Sequence, residues 1–164
     1  MQILNWHICG KNIIWTKWRM RTKVFLDSNV LLDLFVESRA SESADWIFAA
    51  VKAHILEAQV STQSLVDIEF ISHRMGVKFV DFEAFARKVF DVVNVSQLDQ
   101  FHLEWALDHP TGDFEDDAQI RNAYDGACDF FITRDEKLFG RKDCSPMVII
   151  SPTEFVTAMQ SEEE

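Results

Sequence analysis

Cysteine, glycine and proline are scarce in this sequence, whose 164 residues include three cysteines, five glycines and three prolines. So few glycines and prolines exclude a loop-rich or disordered chain and favour long regular elements joined by short connections. The cysteines Cys9, Cys128 and Cys144 are odd in number and form no CxxC pair, so neither a disulfide framework nor a zinc site is indicated. A reducing cytoplasm is the expected location.

Long apolar runs and net positive charge are also missing. No stretch reaches the roughly 18 to 20 apolar residues of a membrane span, and no secretory signal is recognisable, so we expect no membrane contact. The formal net charge of −11 excludes a broad basic surface that binds nucleic acid by counterion release. Any contact with nucleic acid must be local or metal-mediated, and the acidity favours a basic partner protein.

Hydrophobic residues make up 48% of the chain, which is enough for one domain with a sizeable core. Residues 1–19 form an atypical basic, tryptophan-containing extension without clear periodicity. It is interpreted either as non-native sequence upstream of a true start at Met20 or as an arm that contacts a partner or RNA. We assign residues 20–160 to the domain and residues 161–164 to a frayed acidic tail.

From residue 23 onward, apolar strand-like runs alternate with amphipathic helical patterns. Such alternation predicts a mostly parallel sheet of four to five strands with right-handed crossovers, and hence an α/β fold. The predicted strands are 23–27, 59–62, 90–95, 130–133 and 148–150. The predicted helices are one that follows the caps Ser28 and Asn29 and ends before the polar break 37–43, then 44–58, 64–75, 78–90, 97–108 and 113–127, and a short terminal helix that follows the turn 151–153 and ends at Met159.

Two aspartates, Asp27 and Asp135, each follow an apolar strand directly. The carboxyl ends of parallel strands share one rim of the sheet, where α/β proteins bind their ligands. We therefore expect the two carboxylates to lie close together. Each also fits a simpler role as a helix cap or turn residue.

A third acidic group comes from the start of the predicted helix 113–127. At about 100° per residue, Asp116 lies on the stripe of Ile120 and Ala123, Asp117 lies at its border, and Glu115 lies far round the helix. A carboxylate on a buried stripe needs compensation from backbone N–H groups, the helix dipole or a cation. Asp113 shares the face of Asp116 and also fits an N-cap.

The same angular test on the predicted helix 64–75 places Asp67 on the apolar side with Ile71, and Glu69 near the opposite face. Asp67 is therefore the preferred inward acid. Several carboxylates at one rim would raise one another's pKa unless a cation lay between them. Oxygen-only ligands suit Mg²⁺ or Mn²⁺, which can activate water for attack on a phosphodiester, so the residues predict a metal-dependent nuclease.

At these positions the sequence resembles the PIN-domain family of metal-dependent ribonucleases, particularly the VapC-like branch that includes toxins of type II toxin–antitoxin pairs. Residues 25–33 are similar to the opening D-T-N-V motif of that family, with Ser28 in place of threonine. The second motif is similar to residues 61–71, with Asp67 where glutamate is usual. Residues 113–116 resemble a D-F-E-D form of the third motif, and residues 132–135 resemble the fourth.

The resemblance implies a three-layer α/β/α domain that cleaves RNA endonucleolytically with Mg²⁺ or Mn²⁺. It also implies an antitoxin partner and a possible homodimer. The residues to which it assigns roles are Asp27, Asp67, Asp116 and Asp135 as catalytic acids, of which Asp27, Asp116 and Asp135 bind metal, and Asn29, Asp113 and Thr133 as supporting residues. Candidate contacts to RNA phosphates near the rim are Arg134, Lys137 and Arg141, together with Lys142 and Arg74.

Two other readings stay open. The first is a PIN-like module without catalytic activity that binds protein or RNA. The second is an unrelated aspartate-centred α/β protein, such as a phosphoaspartate hydrolase. Asn29 counts against that second reading, because those hydrolases usually carry a second aspartate at this position.

Overall fold

The computed structural model describes residues 7–9, 12–14, 21–36 and 41–161. None of the helices in these ranges is long and apolar enough to cross a membrane. The strands are β1 (His7–Cys9), β2 (Asn12–Ile14), β3 (Thr22–Leu26), β4 (Leu56–Ser61), β5 (Asn94–Ser96), β6 (Phe130–Ile132) and β7 (Val148–Ile150). The α-helices are α1 (Ser28–Val36), α2 (Ser41–Lys52), α3 (Thr62–Arg74), α4 (Phe79–Val92), α5 (Gln100–Asp108), α6 (Phe114–Asp125) and α7 (Pro152–Gln160).

Five parallel strands form the central sheet in the order β5-β4-β3-β6-β7. The chain moves outward from β3 to β4 and β5, then crosses back to β6 on the other side of β3. This reversal makes the carboxyl ends of β3 and β6 the topological switch point, where a crevice opens in α/β sheets. The predicted parallel α/β sheet is therefore confirmed.

Alternating side chains divide the core into two parts on opposite faces of the sheet. On one face, Val24 and Leu26 of β3 pack with apolar residues of α1, α2, α3, α4 and α7. On the other face, Phe25 and Phe131 stack with their ring centroids 5.1 Å apart and pack against Ile120 and Ala123 of α6. The domain therefore has the three-layer α/β/α architecture that the resemblance implied.

Two predicted boundaries are wrong. Helix α2 ends at Lys52, not at residue 58, because the chain turns through His54 with a φ of 59° and enters β4 at Leu56. Helix α4 runs on to Val92, so β5 contains only Asn94–Ser96 and not the apolar run from residue 90. In both places apolar residues continue from the end of a helix toward the next strand, and periodicity alone cannot tell where the helix ends.

Within the N-terminal segment, β1 and β2 pair antiparallel, with His7 opposite Ile14. Three residues per strand are too few for alternation to be recognised in the sequence. The rest of the predicted extension and most of the predicted acidic tail lie outside the described residues. Whether residues 1–19 are an arm or non-native sequence stays a prediction.

Candidate functional site

Asp27 is the first residue after β3, and its side chain is buried, with 5% of the residue exposed. Its carboxylate accepts hydrogen bonds from the Ser28 backbone N–H at 2.5 Å, from Asn29 Nδ2 at 2.5 Å and from Thr133 Oγ1 at 2.6 Å. Burial raises the pKa of Asp27, and these hydrogen bonds oppose the rise. The carboxylate is thus fixed in one orientation at the carboxyl end of the central strand.

Asn29 and Thr133 hold Asp27 and also connect the ends of β3 and β6. Thr133 Oγ1 accepts hydrogen bonds from Asn29 Nδ2 at 3.1 Å and from the Asp135 backbone N–H at 3.0 Å. Asn29 Oδ1 accepts from the Arg134 backbone N–H at 3.1 Å. The structure therefore brings Asp27 and Asp135 to one rim, as their places after apolar strands predicted, together with Asn29 and Thr133, to which the resemblance assigned supporting roles.

Asp116 and Asp135 line a pocket of about 340 Å³ beside this crevice, together with Asp113, Lys137 and Arg141. Partial burial raises the pKa of Asp116 to about 7, and the negative charges of Asp27, Asp113 and Asp135 add to the rise. Asp113 and Asp135 each also cap a helix. Asp113 Oδ1 accepts from the Asp116 backbone N–H at 3.3 Å, and Asp135 Oδ1 accepts from the Lys137 backbone N–H at 3.0 Å.

Asp67 lies on α3 close to Glu115 of α6, which the helical-angle argument had placed far from the site. The pKa of Glu115 is raised to about 7, and burial is the largest cause. The charge and hydrogen bonding of Asp67 add to the rise, and so do the charges of Asp27 and Asp116. Glu115 therefore belongs to the cluster, and its exposed position on α6 agrees with its predicted place away from the buried stripe. The angular test considered α6 alone, whereas α3 approaches α6 from the side on which Glu115 lies.

The buried side-chain amide of Gln119 forms a hydrogen bond with Glu115. Gln119 is fully buried, donates to Glu115 Oε1 at 2.7 Å and accepts from Ser64 Oγ at 3.1 Å. Two features of the sequence indicate the contact between Gln119 and Glu115: Gln119 lies four residues after Glu115, and Ser64 supplies a donor to the Gln119 amide. We call Asp27, Asp67, Glu115, Asp116 and Asp135 the acidic cluster.

Asp117, which the sequence left as an alternative to Asp116, has a different environment. Its side chain is buried against Arg141, with Asp117 Oδ1 and Arg141 Nη1 2.6 Å apart. It also accepts hydrogen bonds from Thr111, at 2.8 Å from the backbone N–H and 2.7 Å from Oγ1. Asp117 is therefore compensated within the chain, whereas Asp116 lies near the negative charges of Asp27 and Asp135.

The predicted RNA contacts fall into two groups. Arg134 Nε lies 3.0 Å from Asp33 Oδ2, and Arg141 pairs with Asp143 as well as with Asp117, which raises its pKa above the usual range. Both guanidinium charges are thus largely compensated. Lys137 and Lys142 are exposed beside the pocket, and Arg74 lies farther along α3 over the ring of Phe70.

The acidic cluster fits a divalent cation. The Oδ2 atom of Asp67 is buried without a hydrogen-bond partner among the described residues, and the charges of neighbouring carboxylates help to raise the pKa of Glu115 and of Asp116. Among those same residues, no group of three or more acidic, histidine or cysteine side chains is placed so that it could hold a metal ion, and no ligand enclosure is therefore present. Mg²⁺ needs no such enclosure, because it retains water and commonly uses one or two carboxylates with substrate phosphates.

Comparisons with known proteins agree with this geometry. Residues 23–137 match the model of the PIN domain family. No curated protein sequence matches the chain significantly. Among solved structures, the chain is similar to a toxin–antitoxin complex from Klebsiella pneumoniae, with a TM-score of 0.55 and 20% identity over 79% of this chain and 97% of that chain.

Two further structures share the fold. VapC20 from Mycobacterium tuberculosis, a toxin that cleaves the sarcin-ricin loop, has a TM-score of 0.53 and 16% identity over 66% of this chain and 86% of that chain. PAE2754 from Pyrobaculum aerophilum has a TM-score of 0.57 and 13% identity over 85% of this chain and 90% of that chain. Since the family match spans well over half of the sequence, this chain belongs to the PIN domain family.

Proposed function

We propose that this protein is a metal-dependent endoribonuclease that hydrolyses RNA phosphodiester bonds. The observation that carries the proposal is the acidic cluster itself, in which five carboxylates from four segments surround one crevice and the pKa values of Glu115 and Asp116 rise to about 7. Mutual repulsion of this kind is unfavourable for a purely structural cluster. It becomes useful when a cation and a phosphate occupy the crevice.

In the proposed mechanism, Asp27, Asp116 and Asp135 hold Mg²⁺ or Mn²⁺, and Asp67 and Glu115 border the same space. The metal would polarise the phosphate and lower the pKa of a coordinated water. Asn29 and Thr133 keep the Asp27 carboxylate from rotating. Glu115, with a pKa near 7, is suited to accept or release a proton at neutral pH.

RNA binding is expected to be local, since the chain has a formal net charge of −11. Lys137 and Lys142 are the exposed cations beside the pocket that we propose as phosphate contacts. Arg134 and Arg141 also lie near the place proposed for the substrate. Their charges are shared with Asp33 and Asp117, so they are less suited to bind phosphate. A small number of phosphate contacts predicts a shallow dependence of affinity on salt.

We also propose that the protein acts as the toxin of a toxin–antitoxin pair in the cytoplasm. The similarity in fold to a chain of the Klebsiella pneumoniae toxin–antitoxin complex supports this proposal. The acidity of the chain favours an antitoxin with a basic binding segment. A homodimer is compatible with the proposal, and sedimentation of the purified protein would establish the oligomeric state.

The decisive test is cleavage of a mixed RNA pool with Mg²⁺, with Mn²⁺ and with EDTA. We expect metal-dependent cutting that falls by roughly 100-fold or more in Asp27→Asn and in Asp116→Asn, because each substitution removes a proposed ligand. Asp91→Asn is the matched control, since Asp91 is an exposed carboxylate on α4 away from the crevice.

The outcomes separate the competing functions. Cutting that survives both site substitutions would point to a contaminating nuclease or a wrong site. Absence of cutting with either metal would replace the nuclease proposal by the PIN-like binding module without catalytic activity.

A further inference from the structure

A second pocket, of about 300 Å³, lies on the outer side of α6 next to the acidic cluster. Its floor contains Ile120 and Cys144, and its walls are formed by ring and charged side chains. The wall residues are Trp105, His109, Arg121, Tyr124 and Asp143. No step of the proposed mechanism uses any of them.

The ring side chains in this pocket are already arranged as flat surfaces. The rings of Trp105 and His109 stack with their centroids 4.4 Å apart at an interplanar angle of 11°. The guanidinium carbon of Arg121 lies 5.6 Å from the Trp105 ring centroid and 5.4 Å from that of Tyr124. His109 and Tyr124 are exposed, whereas Trp105 is half-buried and has one ring face covered by His109, so the rings of His109 and Tyr124 are the surfaces that a ligand reaches first.

Arg121 is held in this position by a neighbouring carboxylate. Its Nη2 atom lies 2.8 Å from Asp125 Oδ1, and its Nε donates to Asp125 Oδ2 at 2.9 Å. The guanidinium plane is therefore fixed before any ligand enters. Stabilisation of the contact between α5 and α6 explains the position of Arg121, but it does not explain why an open pocket remains beside the rings.

This pocket shares no lining residue with the pocket of Asp116 and Asp135, but a short stretch of chain and an ion pair link the two. Thr111 lines the pocket of Asp116 and Asp135, and His109 lies two residues before it. The Cα atoms of His109 and Thr111 are therefore at most about 7 Å apart. Arg141 lines the acidic pocket, and its Nη2 lies 2.6 Å from Oδ2 of Asp143 in the second pocket. A strand that passes Arg141 can thus enter both pockets.

We propose that this second pocket binds a nucleobase of the RNA strand whose phosphate lies in the acidic cluster. Unstacked bases bind to protein by stacking on aromatic rings and guanidinium planes, and both kinds of surface are present in this pocket. The proposal deepens the nuclease function and rests on it for the identity of the substrate. A single base fits a pocket of this size better than a protein segment does.

Asp143 gives the subsite an expected preference. Hydrogen bonds from Arg141 hold the pKa of Asp143 below its usual range, so its carboxylate is an acceptor only. Such a group pairs with the exocyclic amino groups of adenine, cytosine and guanine, whereas uracil has none. We therefore expect oligoadenylate to bind more tightly than oligouridylate.

The test measures binding of labelled oligoadenylate and oligouridylate in EDTA, where no metal-dependent cleavage occurs. Loss of one stacking surface in Trp105→Ala should weaken oligoadenylate binding by about 10-fold. Trp105→Phe should restore most of the affinity, because a ring remains. Phe70→Ala is the matched control, since Phe70 is an exposed ring beside an arginine, Arg74, on α3 outside the pocket.

His109→Ala removes the other stacked ring from an exposed position and serves as the second variant if Trp105→Ala unfolds. Equal affinity in wild type and His109→Ala, or an equal loss in Phe70→Ala, would overturn the subsite. So would the absence of oligoadenylate binding by the wild type both in EDTA and with Mn²⁺, which offsets the repulsion between the acidic cluster and the phosphate.

Cleavage kinetics with Mg²⁺ or Mn²⁺ separate the two proposals. A raised KM with little change in kcat in Trp105→Ala supports the subsite within a working nuclease. Base-dependent binding without any cleavage would retain the subsite and reject the nuclease, whereas cleavage with an unchanged KM in Trp105→Ala would do the reverse.

Discussion

Asp116 and Asp117 are neighbours in α6, yet their carboxylates lie in opposite electrostatic surroundings. Asp117 is buried against Arg141, which also pairs with Asp143, and we call these three residues the arginine cluster. Asp116 faces Asp27 and Asp135, and its pKa rises to about 7. The charges of the arginine cluster are compensated within the chain, whereas those of the acidic cluster are compensated only when a cation binds.

Two kinds of buried charge therefore meet along one helix turn. A paired carboxylate contributes to the stability of the fold, and removal of only one partner of the pair is destabilising. A repelled carboxylate reduces stability until a cation arrives. Stability measurements can thus distinguish the two clusters without any assay of activity.

The largest expected effect comes from breaking the arginine cluster. Arg141→Met leaves the charge of Asp117 buried without its partner, and we expect the free energy of unfolding to fall by about 3 kcal/mol. Urea denaturation measures this change. The control is Arg87→Met, which breaks an exposed pair with Glu83 and should change stability by less than about 1 kcal/mol. An equally small loss in Arg141→Met would show that Asp117 is compensated in another way.

A neutral polar network provides an intermediate case. Asn122 donates to the Gln97 carbonyl at 2.9 Å and accepts from Ser96 Oγ, beneath the buried Gln59. Asn122→Leu leaves these groups unsatisfied, and we expect a loss of about 2 kcal/mol in urea denaturation. Asn122→Asp should restore the acceptor but not the donor. A loss equal to that of Arg141→Met would mean that charge is not the cause of the difference.

The acidic cluster should show an effect of the opposite sign. Glu115 and Asp116 have pKa values of about 7 in the folded protein, above their ordinary values, so the folded state retains protons that the unfolded state releases. Their contribution to stability is complete below about pH 4 and is lost as the pH rises through about 7. Metal-free protein should therefore melt at a lower temperature at about pH 8 than at about pH 5.

Differential scanning fluorimetry without metal tests this slope. The window between about pH 5 and about pH 8 avoids the lowered pKa of Asp143, whose stabilising contribution is lost only at more acidic pH. Asp116→Asn should flatten the slope, Asp91→Asn should not, and Mn²⁺ should raise the melting temperature most at the higher pH. A melting temperature that rises with pH in metal-free wild type would contradict the repulsion.

The sequence predicted those site residues that local rules can place. Asp27 and Asp135 follow apolar strands, so the parallel sheet brings them to one rim, and the period of α6 selected Asp116. Glu115 escaped prediction because its position depends on how α3 packs beside α6. The pairing of Asp117 also escaped, since Arg141 is 24 residues away in a connection without periodicity.

The same distinction holds for the fold. Alternating helices and strands predicted the layers and the parallel sheet, because every crossover obeys the same handedness. The bounds of α2 and β5 did not follow, since apolar residues serve both a helix end and a buried strand. Local pattern thus identified the elements, while contacts distant in sequence determined their ends.

The central position of β3 has a consequence for synthesis of the chain. Its neighbour β6 pairs Val24 with Phe130, so one edge of the innermost strand stays open until more than a hundred further residues have been made. Thr133, which fixes Asp27, arrives at the same late stage. A nascent or truncated chain that ends before β6 would present a bare strand edge prone to aggregation and would have no assembled site. The site can therefore assemble only after β6 and Thr133 have left the ribosome.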